Sequence, residues 1–213
     1  MILTSEYLVE LYQMNYARSW KVALIVFALV HPGCRKDHLA DPYLSSAAKT
    51  DFIVAGERDD GITYTDINPD WEKHGFGLYN DSVNIDLNND NITDASFHYI
   101  TVLSGSEYDQ QTSVNCYNGA EISVTPKNEG DTINTLSGWS TPGALLCFTK
   151  IDFVSSDTTY TGQWNGVQDQ YIGIRVIQNG RRLYGWIRLS VLVPPAIVYV
   201  QQIIVKDFAC RKN

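Results

Sequence analysis

Residues 171–191, YIGIRVIQNGRRLYGWIRLSV, constrain the fold more than any other stretch of this chain. Two alternating runs flank Asn179-Gly180, the residue pair that a two-residue type I′ turn demands, because both central positions take positive φ. A period of two puts Ile172, Ile174 and Val176 on one face of the first strand. Tyr184, Trp186 and Arg188 then share a face of the return strand, and Trp186 is expected in the core. A closing strand is expected at 198–208, after Pro194-Pro195, since a central strand tolerates no proline.

The same grammar of short runs and turn residues covers everything from Asp51 onward. Further strands are expected at 52–57, 62–67, 82–87, 95–103, 120–125 and 144–148. Asn68-Pro69 and Pro126 are read as stops. No stretch of ten residues or more after position 50 keeps a 3.6-residue period with caps, so helix is a minor component. Aromatic residues make up 12% of the chain, with 13 Tyr and 5 Trp, and these suit a pleated, half-buried surface. The expected fold is all-β, an antiparallel β-sandwich with jelly-roll-like character, in a single domain at 51–213.

Before that domain the chain reads as an address. Arg18 and Lys21 precede an unbroken apolar run at 22–30, and Gly33-Cys34 closes the segment. A positive flank, a short apolar run and a small residue describe a secretory signal peptide at 1–33. Nine helical residues span about 14 Å, too short for a bilayer core. Glu6 and Glu10 are out of place in a leader, and a start at Met14 would give one of ordinary shape. Residues 34–50 lack periodicity and are rich in small and polar residues, as expected of a flexible tether.

Gly33-Cys34 resembles the lipobox of bacterial lipoproteins, in which the cysteine is acylated and becomes the new N-terminus. His31 and Pro32 depart from the Leu and small residue usual there. Arg35-Lys36-Asp37 is similar to the charged stretch after the lipid in many lipoproteins of the Bacteroidota. The resemblance implies lipidation at Cys34, export, and residence at the outer membrane or cell surface, with a periplasm-facing position left open. The rival reading is a plain cleaved signal peptide. Farther on, YTDINPD at 64–70 and Tyr184-Gly185-Trp186 with Arg188, before a closing strand that ends DFAC, resemble a module of secreted bacterial proteins. That likeness implies a β-sandwich and no activity.

If Cys34 carries lipid, Cys116, Cys147 and Cys210 remain, an odd number in an exported chain. The sequence does not choose a pair. No Cys-x-x-Cys or Cys/His cluster is present, which argues against structural zinc.

The sharpest candidate site is the stretch Asp86-Leu-Asn88-Asn-Asp90-Asn-Ile-Thr-Asp94. Oxygen-bearing side chains at positions 1, 3, 5 and 9 match the first nine places of an EF-hand-type loop, and the carbonyl of Ile92 stands at position 7. Ca²⁺ is therefore the expected cofactor, with Asp86, Asn88, Asp90, Ile92 and Asp94 as ligands. Position 6 is Asn91 where the motif has Gly, and position 12 is Phe97 where it has Glu. The alternative is an Asx-rich turn held by its own side-chain-to-backbone hydrogen bonds.

No catalytic residue is assigned. Glu121, Asp152, Asp157 and Asp169 are available as acids, and His74 and His98 as bases, but no nucleophile elbow exists. Trp71, Trp139 and Trp164 sit beside turn residues and are candidate platforms for a sugar ring, although each is the more readily explained as a ring that plugs an edge of the core. The 16 Lys and Arg against 24 Asp and Glu form no basic stripe, so nucleic acid is not expected as a partner. The functional expectation is a non-catalytic envelope or surface lipoprotein, attached to the membrane by its lipid, that binds a glycan or an envelope protein. The alternatives are a glycan-active enzyme on a sandwich scaffold and a structural component of the envelope. Two tryptophans exposed on one face would mark a glycan-binding module. Two facing acids would mark an enzyme, and a bare apolar patch would mark assembly.

Overall fold

Among the described residues the alternation seen in the sequence becomes twelve strands, every pairing antiparallel. The computed structural model describes residues 51–75, 77–193 and 201–213. The expected leader at 1–33, Cys34, the tether at 34–50, Pro194-Pro195 and the first residues of the expected closing strand lie outside them. The strands are β1 (Phe52–Val54), β2 (Ile62–Lys73), β3 (Asn80–Ile85), β4 (Ala95–Ser104), β5 (Glu107–Cys116) and β6 (Glu121–Lys127), then β7 (Thr132–Asn134), β8 (Gly143–Asp152), β9 (Asp157–Thr161), β10 (Val167–Gln178), β11 (Arg181–Leu192) and β12 (Gln202–Arg211). One sheet runs β2-β12-β11-β10-β6 and the other β3-β4-β5-β8-β9, while β1 and β7 pair as a short ribbon. The fold is the all-β antiparallel sandwich that the alternation predicts.

The β10–β11 hairpin is built as its turn requires. Asn179 and Gly180 take φ of 52° and 74°, and Gln178 pairs with Arg181 across them. Ile172, Ile174 and Val176 point between the sheets and join Ile187 and Leu189 in one cluster with Phe97, Val114 and Leu146 of the facing sheet. Fully burying such a side chain stabilises by about 1.5–3 kcal/mol.

The opposite face of the same hairpin is buried as well. The β1–β7 ribbon lays Ile53, Ala55 and Ile133 over Tyr171, Tyr184, Trp186 and Ala209 in a second apolar cluster. Trp186 is fully buried there. It meets Tyr171 edge-on, with ring centroids 5.1 Å apart, and its Nε1–H donates to the carbonyl of Glu57 at 3.3 Å. The core placement expected for Trp186 holds, in a layer of its own outside the sandwich interior.

A buried carboxylate lies on this outer face. Asp207 is fully buried and accepts from Arg188 Nε at 3.0 Å and Nη2 at 2.7 Å. Arg58 Nη2 and the Tyr64 hydroxyl also donate to it, each at 3.0 Å. The Arg58 guanidinium lies 3.9 Å from the centre of the Tyr64 ring. Burial, and then the bond to Asp207, push the Tyr64 hydroxyl up to about 12. Arg211, 5% exposed, ties the ribbon down by donating to the Phe52 carbonyl and the Glu57 and Asp59 carboxylates.

Two expected stops are not stops. β2 continues through Asn68-Pro69 to Lys73, and β6 continues through Pro126. Both are edge strands of the first sheet, and each proline falls where the register slips, between Asp66 and Trp71 and between Ser123 and Lys127. A bulge on an edge asks no ladder N–H of the proline. The expected strand at 52–57 is shorter, because Gly56, at φ 83°, turns the chain and Glu57 N–H bonds back to the Val54 carbonyl.

Removing the negative charge of Asp207 while keeping its shape leaves two guanidinium groups without their anion. Asp207→Asn is expected to cost about 3 kcal/mol in urea unfolding, the scale of a broken buried pair. Arg58→Ala, whose side chain is 48% exposed, is expected to cost under about 1 kcal/mol.

Candidate functional site

The 86–94 segment is the turn between β3 and β4, and its two ends are fixed differently from its middle. Leu87 is fully buried between the sheets. The Asp94 N–H donates to the Ile85 carbonyl at 2.9 Å, and the Asp94 carbonyl accepts from Tyr117 N–H at 2.8 Å. The middle is solvated. There Asn89 and Asn91 take φ of 57° and 66°, so Asn91 supplies the left-handed backbone for which the motif ordinarily uses Gly.

Each candidate side chain binds the loop's own groups. Asp86 Oδ1 accepts from Asp90 N–H at 3.1 Å and Oδ2 from Asn91 N–H at 2.7 Å. Asn88 Oδ1 accepts from Asp90 N–H at 3.1 Å. Asp90 Oδ1 accepts from Ile92 N–H at 2.9 Å, and Oδ2 from Asn88 Nδ2 at 3.0 Å. Asp94 Oδ2 accepts from Leu87 N–H at 2.8 Å. This is the geometry of consecutive Asx turns. The Ile92 side chain is half exposed. Among the described residues no group of three or more His, Cys, Asp or Glu is arranged to hold a metal ion.

Asp94 differs from its neighbours in being 4% exposed. Burial pushes its carboxyl up to about 6, and the charges of Asp90 and Asp86 add to the rise against the opposing hydrogen bond from Leu87. The loop therefore sets the charges of Asp90 and Asp86 close enough to act on Asp94, while the carboxylate oxygens bind the loop's own amides.

The three candidate tryptophans do not form a platform. Trp164 is fully buried in the main core, and its Nε1–H donates to the Val124 carbonyl at 2.6 Å, which corrects the expectation of an exposed ring. Trp71 lies within β2, not a loop, and packs partly buried against the same core. Trp139 packs against the second cluster, outside the first sheet. Its Nε1–H donates to the Asn134 carbonyl at 3.0 Å, and the Arg175 guanidinium sits 4.6 Å from its ring centre. Trp71 and Trp139 thus serve opposite faces of one sheet.

Three of the four candidate acids, Glu121, Asp152 and Asp169, are similarly occupied. Glu121 pairs with Arg175, whose hydrogen bond holds the carboxyl below its ordinary value. Asp169 pairs with Lys206. Asp152 accepts from Val154 N–H at 2.9 Å and from the Ser155 hydroxyl at 3.1 Å, closing the β8–β9 turn, across which it pairs with Asp157. His98 Nε2 lies 3.2 Å from Asn115 Nδ2, and His74 Nδ1 lies 3.0 Å from Glu72 Oε1. Cys116, Cys147 and Cys210 are free and buried, and burial raises their thiols to about 12, 11 and 12.

The polar cluster around Asp207 escaped the sequence reading. Its only sequence signal is Arg188, a charged residue in the same alternating set as Tyr184 and Trp186. Comparison with family models, with curated proteins and with solved structures finds no match to this chain.

Because Asp94 binds its proton more tightly in the folded domain, its contribution to stability is fully present below the unfolded value near 4 and is lost as pH rises through about 6. Asp94→Asn removes that charge and keeps an oxygen for the Leu87 amide. The variant is expected to exceed the parent by about 2 kcal/mol at neutral pH. The gap should close towards acid pH when the two are unfolded side by side in urea without calcium.

Proposed function

We propose that the chain is an exported bacterial lipoprotein, held at the outer membrane or cell surface by acylated Cys34, whose sandwich is a non-catalytic module that docks an envelope protein. The address is supported by the leader-like run at 22–30 closing on Gly33-Cys34. A binding role without chemistry is supported by the employment of Glu121, Asp152 and Asp169 in structural contacts.

The observation that carries a protein partner, in preference to a glycan, is an exposed apolar end of the second sheet. Val102 and Leu103 near the end of β4 are 47% and 55% exposed, and Phe153 and Val154 in the β8–β9 turn are 51% and 82% exposed. These segments flank β5 at one end. Leu103 and Ile151 both pair with Tyr108, Phe153 stacks on the Tyr108 ring, and the Phe153 N–H donates to the Ser106 carbonyl at 2.9 Å. Leu103, opposite Tyr108, and Phe153, stacked on it, gather exposed apolar surface at this end, and gathered apolar surface marks interaction sites more often than isolated exposed residues do. The tryptophans, by contrast, offer no shared stacking face.

Calcium belongs to the proposal as a staple of the 86–94 loop, with Asp86, Asn88, Asp90, Ile92 and Asp94 as its ligands. It is supported by the closeness of the Asp90 and Asp86 charges to Asp94 and by the left-handed Asn91. A bound ion would favour ionised Asp94. In millimolar calcium the advantage of Asp94→Asn at neutral pH should therefore reverse, the parent gaining stability as RT ln(1 + [L]/Kd). An advantage that stays the same with calcium and with chelator overturns the calcium part.

The anchor is tested by labelling cells that express the full chain with radioactive palmitate. Label is expected in the membrane fraction and is expected to vanish in Cys34→Ala, whereas equal labelling of the two sinks the lipoprotein reading. The docking end is tested by Leu103→Lys with Val154→Lys. Stability should change by under about 0.5 kcal/mol, while the cross-linked envelope complexes of the parent chain are lost.

A further inference from the structure

The exposed apolar end of the second sheet is bordered by acids. Its last rung runs Ser104, Glu107, Asp152 and Asp157 across β4, β5, β8 and β9, and the rung beside it runs Val102, Asp109, Lys150 and Thr159. Tyr108 and Ile151, which alternate with these residues, are buried, so both rungs lie on the outer face of the sheet. Residues paired directly across strands hold their Cβ atoms about 4.5–5.5 Å apart. Glu107, Asp152 and Asp157 therefore stand side by side. Val102 shares the neighbouring rung with Asp109, and Phe153 and Val154 follow Asp152 directly in the chain.

One ammonium serves these four acids. Lys150 Nζ pairs with Glu107 at 2.7 Å. That bond, and then the charges of Glu107, Asp109 and Asp152, hold the Lys150 ammonium above its ordinary value. The Val154 amide is the chief cause that holds the Asp152 carboxyl below its ordinary value, so Asp152 keeps its charge opposite Asp157. Asp109 Oδ1 is buried and has no hydrogen-bond partner among the described residues.

Like charges directly opposite one another across two strands are destabilising, and a cation brought against the rung reverses the sign of that interaction. The apolar neighbours decide the kind of cation. A hydrated metal ion gains nothing from Val102, Leu103 or Val154, and among the described residues these acids are not grouped to hold one. An anionic lipid surface is repelled by the same charge. A protein surface with cationic side chains beside apolar ones meets both features, since docking surfaces pair opposite potentials around an apolar centre.

We propose, resting on the docking reading above, that this end binds a segment of a partner protein in which lysine or arginine stands beside exposed apolar side chains. The acids select the partner by charge, and Val102, Leu103 and Val154 supply the apolar contact.

The test is fluorescence anisotropy of the labelled peptide Lys-Lys-Leu-Leu-Lys-Lys with the full chain at low ionic strength. Two counterparts are run beside it, one with glutamate in place of the lysines and one with serine in place of the leucines. The parent is expected to bind the first peptide at least tenfold tighter than either counterpart. Asp109→Asn/Asp157→Asn is expected to weaken that binding at least fivefold. Asp157→Asn alone, at an exposed position, is expected to weaken it at least twofold and to melt with the parent. Asp60→Asn/Glu129→Gln removes the same charge from the turns before β2 and after β6 and is expected to leave the affinity unchanged. An equal loss in the two double variants reduces the binding to the net charge of the chain and overturns the proposal.

The remaining outcomes separate the charge of the partner from the docking end itself. Glutamate and lysine peptides that bind alike, and are both lost in Leu103→Ser/Val154→Ser, overturn the basic partner and keep the docking end. A serine peptide that binds as tightly as the leucine one, with no loss in Leu103→Ser/Val154→Ser, overturns the docking end as well. Sedimentation of the parent as a dimer that Leu103→Ser/Val154→Ser dissociates assigns the end to a second copy and overturns the proposal.

Discussion

The structure depends on a hairpin that is buried on both faces. An antiparallel sheet usually presents one face to the core and one to water, and β10–β11 instead carries apolar side chains on both. Ile172, Ile174 and Val176 look into the sandwich, while Tyr171, Tyr184 and Trp186 look outward. The outward set has to be covered, and the β1–β7 ribbon covers it. Arg211 anchors that ribbon through the Phe52 carbonyl, Glu57 and Asp59. The Trp186 ring is thus what ties the first strand of the domain to its last hairpin.

Charge enforces the same arrangement. Asp207 lies on the outer face of β12, where burying a lone carboxylate would cost several kcal/mol. Arg188 from the neighbouring strand, and Arg58 and Tyr64 from the chain leading into and along β2, converge on it. The cluster fixes the lateral position of β2 against β12 beside the register shift between Val205 and Asp207. An apolar residue at 207 could pack there, but it would not select that register.

The hairpin was legible in the sequence because turn chemistry and alternation coincide at Asn179-Gly180. Trp186 was legible as core for the same reason. β5 was not, although it is central in its sheet. Its inward face carries Tyr108, Gln110 and Thr112 before Val114 and Cys116, so the alternation is one of burial without one of hydropathy. Gln110 is tolerated inside because its Nε2 reaches the Tyr99 hydroxyl at 3.4 Å and its Oε1 accepts from Gln201 N–H at 2.8 Å. Those partners lie 11 and 91 residues away, beyond any local pattern. Pro69 and Pro126 misled for the opposite reason. The local rule was sound, but whether a strand is an edge is a property of the sheet. Trp164 offered both a platform and a core plug, and the inward fold of its loop makes it core. The 86–94 spacing was legible, whereas the inward turn of Asp94 depends on Leu87, which the main core buries.

The arrangement of that loop bears on where function can reside. Its exposed middle is closed by its own amides, and its one buried acid is tied to the chain beside β3 and after β5, two strands of the same sheet. Asp94 accepts from Leu87 next to β3, and its carbonyl receives Tyr117 at the end of β5, just before Asn118-Gly119 turns the chain into the other sheet. A change of charge at Asp94 is therefore felt at the seam of the sandwich as well as in the loop. The exposed apolar end around Leu103 and Val154 carries less of that obligation to the core. Phe153 there is held by its stack on Tyr108, whereas Val154 beside it is 82% exposed and available to bind something else.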